Sequence, residues 1–267
     1  MEKAKLHEIQ KAELNIFKEI DCICKELKIN YWGAYGTLIG AIRHSGFIPW
    51  DDDLDLAMKR ADYNLLLSYF QNNYKGPLNL HTIHTNKDYP YYIARICDDK
   101  YCFIFDDYKY HSGAFVDIYP IDGLGNTKDY WISKKNKILS LRKGMTYASS
   151  KHFFWGKSIL TKIIKTPYIL ICKIRGKEYY YEKIDHLSQT YTWEESTYVG
   201  LPVWANNLYF HDKTDFEEFI YVPFEDTTIQ IPKQYDKILT EIYGDYMKLP
   251  PKEDQKPQHG YIAYKLD

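Results

Sequence analysis

The sequence predicts a mixed α/β (α+β) fold, a mixed-sheet core interrupted by a basic helical insertion. Three observations carry this. Short alternating apolar runs intersperse with amphipathic helical patterns before residue 126 and again after 195. Between them, Lys128 to Lys177 holds 13 Lys/Arg and one acid, Asp129, so that segment carries +12 and the rest of the chain −13. Four aspartates (Asp51, Asp52, Asp53 and Asp55) fall within five positions, at the start of a strand-like run. The expected organisation is a catalytic core over 1–126, a basic helical subdomain over 127–195 and a C-terminal segment over 196–267 that returns to the core.

Taken in order, residues 5–28 repeat Leu6, Ile9, Leu14, Phe17, Ile20, Cys24 and Leu27 at helical spacing. INYWGAYGT suits a short strand, and TLIGAIRH a short helix beginning after Gly36 and broken by Gly46 and Pro49. DLDLAM alternates as a strand does, and Asp62 is placed to cap the helix DYNLLLSYF. LNLHTIHT, YYIARIC and AFVDIYP read as strands separated by turn signals at Lys75-Gly76-Pro77, Asp98-Asp99 and Ser112-Gly113. The stretch 128–195 is helical in pattern, with breaks expected at Gly144, Gly156 and Pro167. EEFIYVPFEDTTIQIP suits a hairpin turning at Glu225-Asp226-Thr227, and KQYDKILTEIYGDYM a helix ending near Gly244. The tail is Pro- and Lys-rich but ends in aromatics, which suits folding back onto the body.

The chain of 267 residues has ordinary globular composition, with 45% hydrophobic and 27% charged residues. No run reaches transmembrane length, and the charged N-terminal stretch lacks the apolar core of a signal peptide. The five Cys have no regular spacing, which suits reduced thiols in a cytoplasmic protein. Cys97 and Cys102 lack a second ligand pair at zinc spacing. No nucleic-acid motif accompanies the basic segment.

In a strand, Asp53 and Asp55 would point to one face with Cα atoms about 6.6 Å apart. Adjacent carboxylates repel, and a hard divalent cation, Mg²⁺ or Mn²⁺, relieves that repulsion. Asp117 on AFVDIYP offers a third carboxylate, completing a site able to clamp a phosphoryl group. Gly36-Thr37 at a helix start admits an anion to backbone N–H groups, and Arg43 can fork to phosphate oxygens. His44, Trp50, Asp51 and Arg95 are site candidates by proximity, although Arg95 could instead pair with Asp98 or Asp106. A calcium loop fits poorly, because Leu56 stands where glycine is needed and Asp62 where glutamate is needed. A turn rich in helix caps is the plain alternative. The order of small-residue helix start, D-x-D strand and third carboxylate is the pattern of the nucleotidyltransferase fold.

The motif YGTLIGAIRHSGFIPWDDDLDLAM, with ARICD, FVDIYPIDGL and FEDTTIQIPKQYDKILTEIYGDYMKLPP, resembles the LicD family of phosphotransferases. The resemblance covers roughly 10–125 and 195–260, and takes in His259. It implies Mg²⁺-dependent transfer of phosphocholine from CDP-choline to a hydroxyl of a cell-surface glycan precursor, such as a polysaccharide or teichoic acid, releasing CMP. It implies that Asp53, Asp55 and Asp117 are the metal-binding catalytic carboxylates and that Gly36, Thr37 and Arg43 contact the diphosphate. The same chemistry with CDP-ribitol, CDP-glycerol or a phosphoethanolamine donor is the alternative, and nucleotidyl transfer from an NTP a further one. A choline head group needs an aromatic cage, for which Trp50 and some of the 27 Tyr are available. The basic, aromatic stretch 128–177 suits either a packed subdomain with solvated lysines or an anionic membrane surface, such as the inner face of the cytoplasmic membrane.

Overall fold

The computed structural model describes residues 2–153, 158–257 and 259–266. Its elements in chain order are β1 Glu2–Lys3, α1 Leu6–Leu27, β2 Tyr31–Gly33, α2 Tyr35–His44, β3 Asp55–Lys59 and α3 Arg60–Asn72. There follow β4 Asn79–His81, β5 Ala94–Phe105, β6 His111–Gly125, α4 Asp129–Ser149, α5 Ile159–Arg175 and α6 Lys177–Ser188. The chain closes with β7 Tyr198–Gly200, β8 His211–Asp212, β9 Phe219–Phe224, β10 Thr227–Pro232, α7 Tyr235–Tyr243 and β11 Tyr261–Lys265. The fold is mixed α/β, as the sequence predicts.

One sheet runs in the order β1-β11-β5-β6-β3-β2, with β4 beside β5 and β7 joining β6 to β8. β3 and β6 pair in parallel, and the other paired strands among the described residues are antiparallel. The β3–β6 register sets Asp55 opposite Asp117, and the β5–β6 register sets Arg95 opposite Asp117. Three adjacent strands therefore bring two acids and a guanidinium into one row. α1 lays its apolar stripe on this sheet, with Ile16, Phe17 and Ile20 buried beside Leu54, Leu56 and Ile118. The tail folds back as expected, because β11 pairs with β5.

Several local readings are corrected. α2 starts at Tyr35, so Gly36 lies in its first turn and not before it. β3 starts at Asp55, which leaves Asp53 outside the regular strand. The approach to β3 is held by side chains instead: Gln10 donates to the Asp51 carbonyl (2.9 Å) and Tyr261 to the Asp52 carbonyl (2.9 Å). Lys59, not Asp62, occupies the N-cap of α3. LNLHTIHT forms only the three-residue β4. Asp98-Asp99 and Ser112-Gly113 make no turn. β5 and β6 run through them with a register shift, and a Cβ on Gly113 would lie 2.2 Å from the Asp98 carbonyl oxygen, so glycine is needed for the strands to pair. The hairpin turns over 106–110 instead.

Gly144 and Pro167 lie inside helices. Gly144 takes up the ring of Tyr180, which a Cβ would approach to 2.3 Å, and Pro167 sits on the exposed side of α5. Gly156 lies outside the described residues. The helices are tied to the sheet by Arg60, which grips Asp122 of β6 with two 2.7 Å bonds and reaches Asp185 of α6 at 3.2 Å. Lys177 donates to the Tyr89 carbonyl (2.7 Å), and the Trp131 indole to the Leu124 carbonyl (2.8 Å). The β9–β10 hairpin and α7 match the sequence reading.

Candidate active site

The acid cluster gathers where α2, β3, β6 and the C-terminal segment meet. The Thr37 hydroxyl accepts from the Asp55 N–H (2.8 Å), and the Ala34 N–H donates to the Asp55 carbonyl (3.0 Å). These bonds staple the start of α2 to the start of β3. Between them Tyr35 holds φ at 47°, a strained value for a bulky residue and of the kind that marks functional sites. A Cβ on Gly36 would lie 2.5 Å from Asp51 Oδ2. The anion lying against this helix start is thus the Asp51 carboxylate.

Asp117 is locked. Arg95 donates to both of its oxygens, at 2.6 and 3.1 Å, and the guanidinium is sandwiched by the rings of Phe115 (3.8 Å) and Tyr91 (4.1 Å). Both partners are about 3% exposed, so this is a buried, charge-assisted pair. Arg95 does not pair with Asp98 or Asp106. Asp55 is equally buried, and its Oδ1 has no partner. Burial, then the charges of Asp53 and Asp117, hold its carboxyl well above the ordinary range.

Asp53 is pushed up to about 7, chiefly by burial, with Asp51 and Asp117 adding and His259 opposing. His259 contacts Asp52 through Nδ1 (3.0 Å) and Asp53 through Nε2 (3.5 Å). Those two acids raise the imidazole to about 9 against the cost of burial. An imidazolium at His259 is thus the positive partner of Asp52 and Asp53, as Arg95 is of Asp117. The ligand atoms of Asp52, Asp53 and His259 lie within 4.8 Å of one another, the spacing of a cation site. Carboxylate oxygens are the donors that a hard divalent cation takes, and Asp53 and Asp55, the latter with an orphaned oxygen, offer them, whereas His259 as an imidazolium does not.

Beside the cluster opens a cavity of about 640 Å³. Trp32, Tyr35, Tyr119, Trp204, Tyr209 and Tyr243 give it aromatic walls, aliphatic side chains with Asn206, Asn207 and His211 share the lining, and Asp55 lines it alone among the cluster's aspartates. Arg142 of α4 also lines it, half-buried and stacked 4.6 Å from the Trp204 ring centroid.

The site residues expected from the sequence thus divide. Asp51, Asp53, Asp55, Asp117, Arg95, His259, Gly36 and Thr37 come together. Arg43, His44 and Trp50 gather at the far end of α2. There the Arg43 guanidinium donates to the Tyr246 carbonyl (2.7 Å) and to His44 Nε2 (2.9 Å), and His44 meets Trp50 edge-on. None of the three lines the cavity.

Sequence reasoning missed Glu13, Tyr261, Arg142 and the cavity aromatics. Glu13 is fully buried with both side-chain oxygens unpartnered, and burial beside Asp53 and Asp52 drives its carboxyl well above the ordinary range. A signal existed: Glu13 interrupts the apolar stripe of α1 between Ile9 and Phe17. The others had none, since nothing local distinguishes them from other aromatic or basic residues.

The family described as LicD/FKTN/FKRP, nucleotidyltransferase domain, matches residues 28–143, which contain the helix start, the aspartates and Arg95. The lipopolysaccharide cholinephosphotransferase LicD of Haemophilus influenzae is 34% identical over the full length of both chains. An uncharacterized protein of Rickettsia prowazekii is 30% identical over 42% of this chain and 50% of its own. With full-length similarity spanning both the acid cluster and the returning C-terminal segment, this chain belongs to the LicD family.

Proposed function

We propose that this protein transfers phosphocholine from CDP-choline to a hydroxyl of a cell-surface glycan precursor of the lipopolysaccharide class. The observation that carries the proposal is the aromatic-walled cavity beside Asp55. A quaternary ammonium cannot donate a hydrogen bond, and it is recognised by the faces of Trp and Tyr rings. The volume also accommodates a nucleotide, which lies within the ordinary range for ligand pockets. Asn206, Asn207 and the Tyr hydroxyls of the same cavity supply hydrogen-bonding groups for the polar parts of the donor. The similarity to a lipopolysaccharide cholinephosphotransferase supports the same donor group and acceptor class.

Mg²⁺ or Mn²⁺ would be held by Asp53 and Asp55, with Asp51, Asp52 and Asp117 alongside. When bound, it would supply charge neutralisation for the donor diphosphate. Arg142 adds a fixed positive charge on the cavity wall, suited to a phosphate oxygen. The acceptor oxygen attacks the phosphorus bearing choline, the bond to the CMP oxygen breaks, and the hydroxyl proton passes to a carboxylate. With Asp53 and Asp55 given to the cation, Asp117 is poorly placed for that role, because both of its oxygens are engaged by Arg95. Arg95 instead fixes Asp117 in the row, and Thr37 fixes the backbone of Asp55. Positioning and charge neutralisation carry most of such a reaction.

Calorimetric titration tests the donor reading. CDP-choline should bind in the presence of Mg²⁺ and lose affinity when choline is replaced by ribitol or glycerol. Equal affinity for all three CDP-alcohols would remove the cavity's aromatic walls from the argument.

A further inference from the structure

Helix α5 has two apolar faces, and only one is used. Ile169 and Cys172 are fully buried against the neighbouring helices. At about 100° per residue, Ile159, Leu160, Ile163, Ile164, Ile171 and Ile174 fall within an arc of about 140° centred opposite that buried pair. All six are exposed, Ile174 by 85% and Ile159 by 79%. Large aliphatic side chains concentrated on one exposed helix face mark an interaction surface. The helix holds Lys162, Lys165, Lys173 and Arg175 and no acid. It lies in the segment carrying +12. Among the described residues no helix is long and apolar enough to cross a membrane.

We propose that the outer face of α5 docks on an anionic lipid surface, with its isoleucines in the headgroup boundary and the surrounding basic segment, including the exposed Lys162 and Arg175 beyond the margins of the stripe, drawn to lipid phosphates. The charge selects this occupant. The stripe itself is uncharged, but a second copy of this chain would bring another segment of +12 against this one, whereas an anionic bilayer is complementary to both the apolar stripe and the basic segment around it. α5 packs on α4, which carries Arg142 to the cavity wall, so docking by α5 would hold the cavity near the membrane. That placement suits an acceptor of the lipopolysaccharide class proposed above.

Vesicle co-sedimentation at low salt tests the proposal. The full chain should pellet with vesicles of equal parts phosphatidylglycerol and phosphatidylcholine and stay in solution with pure phosphatidylcholine. The triple variant I163S/I164S/I174S should lose about tenfold or more in vesicle partitioning, with an unchanged melting temperature and unchanged turnover on a water-soluble acceptor. Its unchanged melting would show that these side chains are not core. K162Q/R175Q should weaken binding and flatten its salt dependence. A wild-type protein left in the supernatant, or a serine variant that pellets equally, would overturn the proposal. So would a dimer in sedimentation velocity that the serine variant dissolves, because the face would then belong to a second copy. Vesicle binding without CDP-choline turnover would sink the proposed transfer and leave this surface standing.

Discussion

Replacing Asp53 with Asn should stabilise the metal-free protein and abolish its response to metal. The side chain of Asp53 is only 13% exposed, and its carboxyl is pushed up to about 7 against an ordinary 3.8. The folded state therefore holds a proton there that the unfolded chain releases. By linkage, the contribution of this group is fully favourable below the ordinary value and is lost as pH rises toward about 7. At pH 8 the ionised form costs on the order of 4 kcal/mol. That penalty is net of the His259 ion pair, since His259 already opposes it. Asn mimics the neutral acid, so Asp53→Asn should raise the melting temperature by roughly 5–10 °C at pH 8 and hardly at all at pH 4. Melting followed by circular dichroism, with and without Mn²⁺, reads both effects. The wild type should gain stability from Mn²⁺ at pH 8, and the variant should gain little. A variant no more stable than wild type at pH 8, and equally stabilised by Mn²⁺, would refute the reasoning.

Other outcomes follow from the same geometry. Mn²⁺ should bind about tenfold more tightly at pH 8 than at pH 6, because the carboxylates must ionise to coordinate it; calorimetry at both pH values measures this. Arg95→Met leaves Asp117 buried and unpaired and should cost about 3–5 kcal/mol in urea denaturation. Gly36→Ala sets a Cβ 2.5 Å from Asp51 Oδ2 and forces that carboxylate to move, so the protein should fold normally, shown by an unchanged circular dichroism spectrum, while turnover falls about tenfold or more. Trp204→Ala should raise the KM for CDP-choline about tenfold with little change in kcat, as steady-state kinetics would show.

The row of Asp55, Asp117 and Arg95 divides what the sequence discloses from what it does not. The acids were legible because their spacing and the flanking apolar alternation are local. Arg95 was visible as a candidate, but its partner was not, because strand register decides that and register is a long-range property. Asp98-Asp99 misled for the same reason. A turn-prone pair was carried through a strand by pairing on both sides, and the glycine that permits it lies across the ladder. The aromatic cavity was not legible at all. Trp32, Tyr119, Trp204 and Tyr243 come from four separate parts of the chain, and only the fold makes them neighbours. His259 entered through family resemblance, and its place as counter-ion to Asp52 and Asp53 emerged only when β11 closed against β5.

The most direct test is product analysis with CDP-choline, Mg²⁺ and a lipopolysaccharide acceptor, comparing wild type with Asp55→Asn. The account predicts CMP and choline-bearing phosphate on the glycan in equal amounts from the wild type, and neither from the variant. Pyrophosphate released from CTP, with CDP-choline left intact, would contradict it.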